Sequence, residues 1–199
     1  MSKEFFVKAR SLLLPVLLGS TIFMTACTST PETASQAPET VSGPEIFLDA
    51  SANELFKDVK KVYKTQYFAL GIPQGWKVLT FSNEPLASSI SVEKEDHSAV
   101  VTIRINKAEY KTLQETCVAA GKAFEANGVE FVSAPDIQYG TCLIDGKEGE
   151  KDVALWLRQY NDDMSVYSIN YTGSLETVAE LLGYLVGNEK LMQLMVRPL

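Results

Sequence analysis

Residues 99–128, AVVTIRINKAEYKTLQETCVAAGKAFEANG, contain a change of period that decides the fold class. Over 99–105 the run is alternating or β-branched, which suits a strand on a half-buried sheet. From Tyr110 onward the apolar side chains recur at steps of three and four, at Leu113, Cys117, Ala120 and Phe124, the spacing of one helix face. Asn127-Gly128 then supplies a helix stop.

Upstream, residues 88–93 alternate and are separated from 99–105 by the polar stretch 94–98, which predicts a hairpin. Residues 67–72 read as a strand, Pro73-Gln74-Gly75 as a turn, and 76–81 as the returning strand. Ser51-Ala52-Asn53-Glu54 matches a capping box, and Leu55, Phe56, Val59 and Val62 or Tyr63 follow at helical spacing, so a helix is expected over 52–65. Downstream, strands are expected at 129–132, 137–144, 153–160 and 164–172, with 146–149 and 161–163 as turns. Ser174 caps a further helix whose apolar face is Leu175, Val178, Leu181, Leu182 and Leu185; Gly187-Asn188 interrupts it before a short closing helix. Hairpins with helices between them predict α+β: a mainly antiparallel sheet with about three helices packed on it, in one globular domain, 45–199.

This order resembles the α/β sandwich of PsbP-like proteins and the DcrB lipoproteins. The similarity rests on a strand ending in Ile72-Pro73-Gln74-Gly75-Trp76, then a hairpin, a helix, a meander and a closing helix. It implies a small extracytoplasmic domain that binds or assists other components, with no shared catalytic residues.

The start of the chain is of another kind. Lys3, Lys8 and Arg10 precede an uncharged apolar run, the layout of a secretory signal over 1–26. The uncharged stretch 11–26 holds sixteen residues, broken by Pro15 and Gly19, whereas a spanning helix needs about 20. It ends in Met24-Thr25-Ala26-Cys27, which resembles the lipobox of bacterial lipoproteins, with Met24 where Leu is usual. The resemblance implies cleavage between Ala26 and Cys27 and lipidation of the Cys27 thiol. An ordinary cleaved signal with an incidental Cys27 is the alternative. Acyl chains contribute about 0.8 kcal/mol per buried methylene, so one chain anchors marginally and two or more anchor stably.

Residues 28–44, TSTPETASQAPETVSGP, hold no aromatic side chain and only Val41 as a sizeable apolar one. Such a stretch cannot bury enough surface to offset the entropy of ordering, so 27–44 is expected to be a lipidated cysteine on a flexible Ser/Thr/Pro tether. DcrB-type proteins often carry Asp after the lipidated cysteine, favouring the inner membrane. Thr28 favours the outer membrane, facing the periplasm, by resemblance to sorted lipoproteins.

Removing residues 1–26 takes away Lys3, Lys8, Arg10 and Glu4, which moves the formal net charge from −7 to −9. An acidic surface argues against nucleic acid, whose phosphates need a basic footprint, and against a polybasic grip on anionic headgroups. The expected partners are the membrane, through Cys27, and an envelope protein.

With Cys27 lipidated, Cys117 and Cys142 form an even pair in an oxidising compartment. Two readings stand: a disulfide, or two buried thiols packed as small hydrophobes. Neither makes a CxxC redox motif.

His97, the sole histidine, lies in Glu93-Lys94-Glu95-Asp96-His97-Ser98, read as an exposed turn. Adjacency there does not supply the converging geometry of a triad or of zinc. Residues 145–152 superficially suggest a calcium loop, but Lys147 stands where an oxygen ligand is required. Asn161-Asp162-Asp163 is explained by turn formation. Trp76, Tyr67, Tyr160, Tyr167 and Tyr171 are candidates for a concave binding face and are also strong core fillers, the preferred reading. No cofactor, metal or catalytic constellation is therefore assigned, and a non-enzymatic envelope binding or accessory protein is expected. The alternative is a hydrolase or transferase of cell-wall material, with Glu93 and Asp96 as its acids.

Overall fold

The computed structural model describes residues 54–195. The expected signal segment 1–26, its cleavage at Ala26 and Cys27, the lipidation of Cys27, the tether 27–44, the domain's first residues with the Ser51 capping box, and the last four residues lie outside them.

Two antiparallel sheets carry the domain. The smaller joins β1 (Lys61–Lys64), β2 (Phe68–Ile72) and β11 (Leu185–Gly187), with β2 central and every residue of it buried. The larger runs in the order β3 (Trp76–Ser82), β4 (Ala87–Lys94), β5 (Val100–Lys107), β10 (Ser165–Thr172), β9 (Lys151–Tyr160), β8 (Thr141–Glu148) and β6 (Glu130–Phe131). β7 (Asp136–Gln138) also pairs with β8. Three helices lie wholly within the described residues: α1 (Leu113–Ala126), α2 (Leu175–Leu182) and α3 (Glu189–Met195). The chain is thus α+β with mainly antiparallel sheets. None of these helices is long and apolar enough to cross a membrane.

Register determines what each face of the large sheet carries, because side chains alternate along a strand. One transverse row is Ile90, Ile103, Ile169, Trp156 and Leu143. It belongs to the main core, shared with Phe68, Leu70 and Ile72 of the small sheet and with Val178, Leu181, Leu191 and Leu194 of α2 and α3. The opposite face carries Ser91, Thr102, Asn170, Leu155 and Ile144 in one row and Ser89, Arg104, Ser168, Leu157 and Cys142 in the next. That face changes from polar to apolar across its width. Its apolar half packs with Cys117 of α1 as a second core.

Several expectations need correction. Glu54 and Leu55 are helical, but the chain turns at 56–58 and is extended from Lys61, so no helix runs to residue 65. Apolar spacing at 56, 59 and 63 fits two structures, and the small sheet chooses. A Cβ on Gly71 would lie 2.8 Å from Phe56 Cδ1 and 2.9 Å from Val59 Cγ1, so both side chains close over that glycine. Tyr63 then pairs with Leu70 in β2.

Residues 67–72 and 76–81 are not a hairpin, because β2 already has β1 and β11 on its two edges. At Pro73-Gln74-Gly75 the chain passes to the other sheet, with Gly75 at φ 80, and buried Trp76 begins the edge strand β3. The single strand expected over 137–144 is divided by Tyr139 (φ 50) and Gly140 (φ 76), a left-handed pair joining β7 to β8 as a two-residue hairpin loop. Gly146 lies in β8 rather than in a turn. A side chain there would meet the Glu130 carbonyl at 2.8 Å, so glycine lets β6 approach. Leu185 continues no helix: α2 ends at Leu182 with Gly183 as its cap, and Leu185 pairs with Leu70.

Candidate functional site

A cleft opens where α1 stands over the apolar half of the large sheet's outer face and leaves the polar half bare. It encloses about 480 Å³, within the range of small-ligand sites.

Three local features build it. Thr112 caps α1: its hydroxyl accepts from the Glu115 amide at 3.2 Å, and the Glu115 carboxylate accepts from the Thr112 amide at 3.1 Å. Cys117 is joined to Cys142 of β8, with Cα atoms 5.7 Å apart, which ties the helix to the sheet. Thr116 donates to Gln159 Oε1 at 2.6 Å and Gln159 Nε2 donates to the Tyr110 carbonyl at 3.0 Å, tying the helix's first turn and its approach to β9.

The wall on the α1 side is apolar and low, formed by Ala119, Ala120, Ala123 and Phe124, with Leu155, Leu157 and Val166 beneath. The floor on the other side is polar, formed by Thr102, Arg104, Asn106, Ser168 and Asn170. Arg104 is directly opposite Ser168 in one pairing and Ser89 in the other. Its guanidinium has no carboxylate and no carbonyl partner among the described residues. Arg158 differs: it donates to the carbonyls of Tyr139, Gly140 and Gln193. Asn170 Oδ1 is buried at the cleft floor and accepts no hydrogen bond from the described residues.

The residues singled out in the sequence lie elsewhere. Glu93 is the penultimate residue of β4, with its carboxylate 2.7 Å from His97 Nδ1 and 2.9 Å from Lys77 Nζ. The hydrogen bond with His97, followed by that from Lys77, holds the Glu93 carboxyl below its usual range. Asp96 accepts from the Ser98 amide at 2.9 Å, and its bonds to Ser98 lower it likewise. A general acid needs the opposite shift, and both carboxylates serve the β4–β5 turn. Lys147 pairs with Asp152 across the β8–β9 hairpin at 2.9 Å. Asp162 and Asp163 each contact Lys190 at 2.8 Å. Among the described residues no three His, Cys, Asp or Glu side chains converge as a metal site.

The five aromatic residues Trp76, Tyr67, Tyr160, Tyr167 and Tyr171 pack the main core side rather than the cleft. Tyr167 stands edge-on to Tyr67 at 6.0 Å and to Tyr160 at 5.5 Å. Their hydroxyls are used structurally: Tyr67 accepts from the Leu86 amide, Tyr167 accepts from Asn188, and Tyr160 donates to the Lys190 carbonyl. Burial pushes the Tyr160 and Tyr167 hydroxyls above their usual pKa. Trp76 and Tyr171 are buried in the same core.

Sequence reasoning missed the cleft residues themselves. The available signal was alternation in β5, where Thr102, Arg104 and Asn106 interleave with Val101, Ile103 and Ile105, a strand with one dry face and one polar face.

No family model matches the chain, and no curated protein does. A crystal structure of a protein from Bacteroides thetaiotaomicron VPI-5482 is similar over 63% of this chain and 46% of that one, with 14% sequence identity and a TM-score of 0.32. The chain spans about half the length of that protein. A likeness of this degree carries no argument about fold or function.

Proposed function

We propose that the protein is an envelope lipoprotein anchored through Cys27, and that its α+β body is a binding domain of the PsbP-like/DcrB sandwich type whose ligand enters the cleft beside α1. The observation that carries the binding reading is the cleft: one wall of alanines and larger apolar side chains faces a floor of hydroxyls, amides and an arginine free of ion pairs among the described residues. Apolar lining with a few polar groups that fix orientation is the make-up of a ligand site. The lipobox Met24-Thr25-Ala26-Cys27 and Thr28 support the anchor and an outer-membrane position facing the periplasm, and the acidic charge balance leaves attachment to acyl chains. The crossing at Ile72-Pro73-Gln74-Gly75-Trp76, followed by hairpin, helix, meander and closing helices, supports the sandwich type.

Two measurements test this in a Gram-negative host. The full chain should sediment with membranes and begin at a Cys27 heavier than its bare polypeptide, whereas Cys27→Ala should be released. Native mass spectrometry of the Cys27→Ala chain should show a small-molecule adduct that disappears when Ala123→Trp fills the cleft. An unmodified mature mass overturns the anchor, and an adduct indifferent to Ala123→Trp overturns the cleft as the binding site.

A further inference from the structure

We infer that the cleft beside α1 selects an amphipathic carboxylate, with the anionic head on Arg104 and the apolar body under α1. This rests on the binding reading above and adds the class of ligand.

The first argument is charge. The full chain has a formal net charge of −7, and six of the twelve lysines in the described residues are held by acidic partners, Lys57, Lys60, Lys77, Lys94, Lys147 and Lys190. Arg104 has no acidic partner among the described residues, and its cross-strand neighbours are the neutral Ser89 and Ser168. Two cations and one acid line the cleft, Arg104 and Lys107 against Glu109. A planar guanidinium in that setting offers paired donors to a carboxylate, and neighbouring hydroxyls add further donors.

The second argument is the division of the lining. Moving from β5 to β9 along one register row, the outer face changes from Thr102 through Asn170 to Leu155. The adjacent row changes from Arg104 through Ser168 to Leu157. The cleft therefore has a polar end and an apolar end one strand apart, and the alanines of α1 keep the apolar end open. A purely polar anion would leave the apolar end wet. A neutral hydrocarbon would forgo the interaction with Arg104. A molecule carrying both parts satisfies both ends.

The probe is decanoate, titrated by calorimetry into the full-length Cys27→Ala chain without detergent, with 1-decanol as its neutral counterpart. Decanoate should bind. Arg104→Gln should weaken it by about tenfold, the scale of one lost charge-assisted contact. Lys64→Gln, a change on the small sheet, should leave it unaltered, and 1-decanol should bind the unsubstituted cleft about tenfold more weakly than decanoate. Amide shifts on adding decanoate should centre on Ala119, Ala123 and Ser168, a location test that does not depend on a cleft-filling variant folding.

Absence of decanoate binding, or equal affinity for decanoate and 1-decanol, overturns the carboxylate class. Arg104→Gln binding decanoate as tightly as the parent does the same. In each of these cases the cleft reading stands or falls by the adduct and Ala123→Trp. Shifts centred away from α1 and β10 overturn the class and the cleft together.

Discussion

Cys117 of α1 and Cys142 of β8 are bonded at the centre of the second core, with Cα atoms 5.7 Å apart and both residues buried. The bond holds the helix over the apolar half of the sheet and thereby sets the width of the cleft. A cross-link closing 25 residues of sequence separation restricts the unfolded chain by about 3 kcal/mol in the entropy model.

The double variant Cys117→Ala/Cys142→Ala should therefore melt about 10 °C lower than the parent. Because both sulfurs are buried, the native protein should resist reductant that acts readily once it is unfolded. Thermal melts with and without reductant, together with alkylation and mass measurement under denaturing conditions, check both statements. Identical melting of the two proteins would show that the bond carries no stability.

The tip of the β4–β5 hairpin predicts an acid-sensitive contribution. The Glu93 carboxyl titrates below its unfolded value because of His97 and Lys77. Its contribution is therefore fully present above the unfolded glutamate pKa, about 4.3, and is lost as pH falls through the lower folded value. Glu93→Gln should be less stable than the parent at pH 6, and the difference should begin to close as pH falls past the unfolded glutamate pKa and vanish once it is below the lowered folded value. Urea midpoints measured across that range give the answer, and a gap that widens with acid would contradict it.

A second electrostatic device has the opposite partner logic. Desolvation raises the Asp163 carboxyl, but hydrogen bonds from Lys190 and Ser165 outweigh it and leave the group lowered. Desolvation likewise depresses Lys190, and Asp162 and Asp163 outweigh it to leave the amine raised above 10.5. Below 10.5 the Lys190 contribution is complete, and it is lost as pH rises through the folded value. Lys190→Met should accordingly destabilise the protein through the neutral range by up to about 1 kcal/mol, the scale of an exposed pair. The urea midpoint gap between variant and parent should shrink both in acid and above the lysine range.

Gly71 should tolerate no side chain. Alanine there would place its Cβ 2.8 Å from the Phe56 ring and 2.9 Å from Val59, a steric conflict costing about 1–3 kcal/mol. Chemical denaturation of Gly71→Ala measures it. The companion Gly71→Ala/Phe56→Ala should regain part of the loss if the clash with Phe56 is its source.

Thr112→Ala should remove the cap of α1, at about 1 kcal/mol. Hydrogen exchange at the Glu115 amide should accelerate most, since that amide donates to the Thr112 hydroxyl. Uniform acceleration over the whole domain would locate the effect elsewhere.

Much of the architecture was legible because short-range rules act on it directly. The 3.6-residue period from Leu113 to Phe124, the stop at Asn127-Gly128 and the cap at Ser174 specify helices without reference to the rest of the chain. Alternation in 88–93 and 99–105 specifies a hairpin that the structure contains as β4 and β5. The capping box at Thr112 and Glu115 was equally available and went unread.

Long-range pairing decided the remainder. Whether 61–64 is helix or strand depended on an open edge of β2, whose partner residues stand five to eleven positions along the chain, beyond the i to i+4 reach of a helix. Whether Trp76 returned to β2 depended on β11, about a hundred residues later, which holds that edge of β2. The alternation of β5 already separated Arg104 from Ile103, so two faces were determined by local geometry alone. Which face was dry, and which half of the other stayed open beside α1, required the small sheet on one side and the Cys117–Cys142 bond on the other. Side-chain alternation is a local property of the backbone, whereas burial is a property of what arrives from distant sequence to cover it.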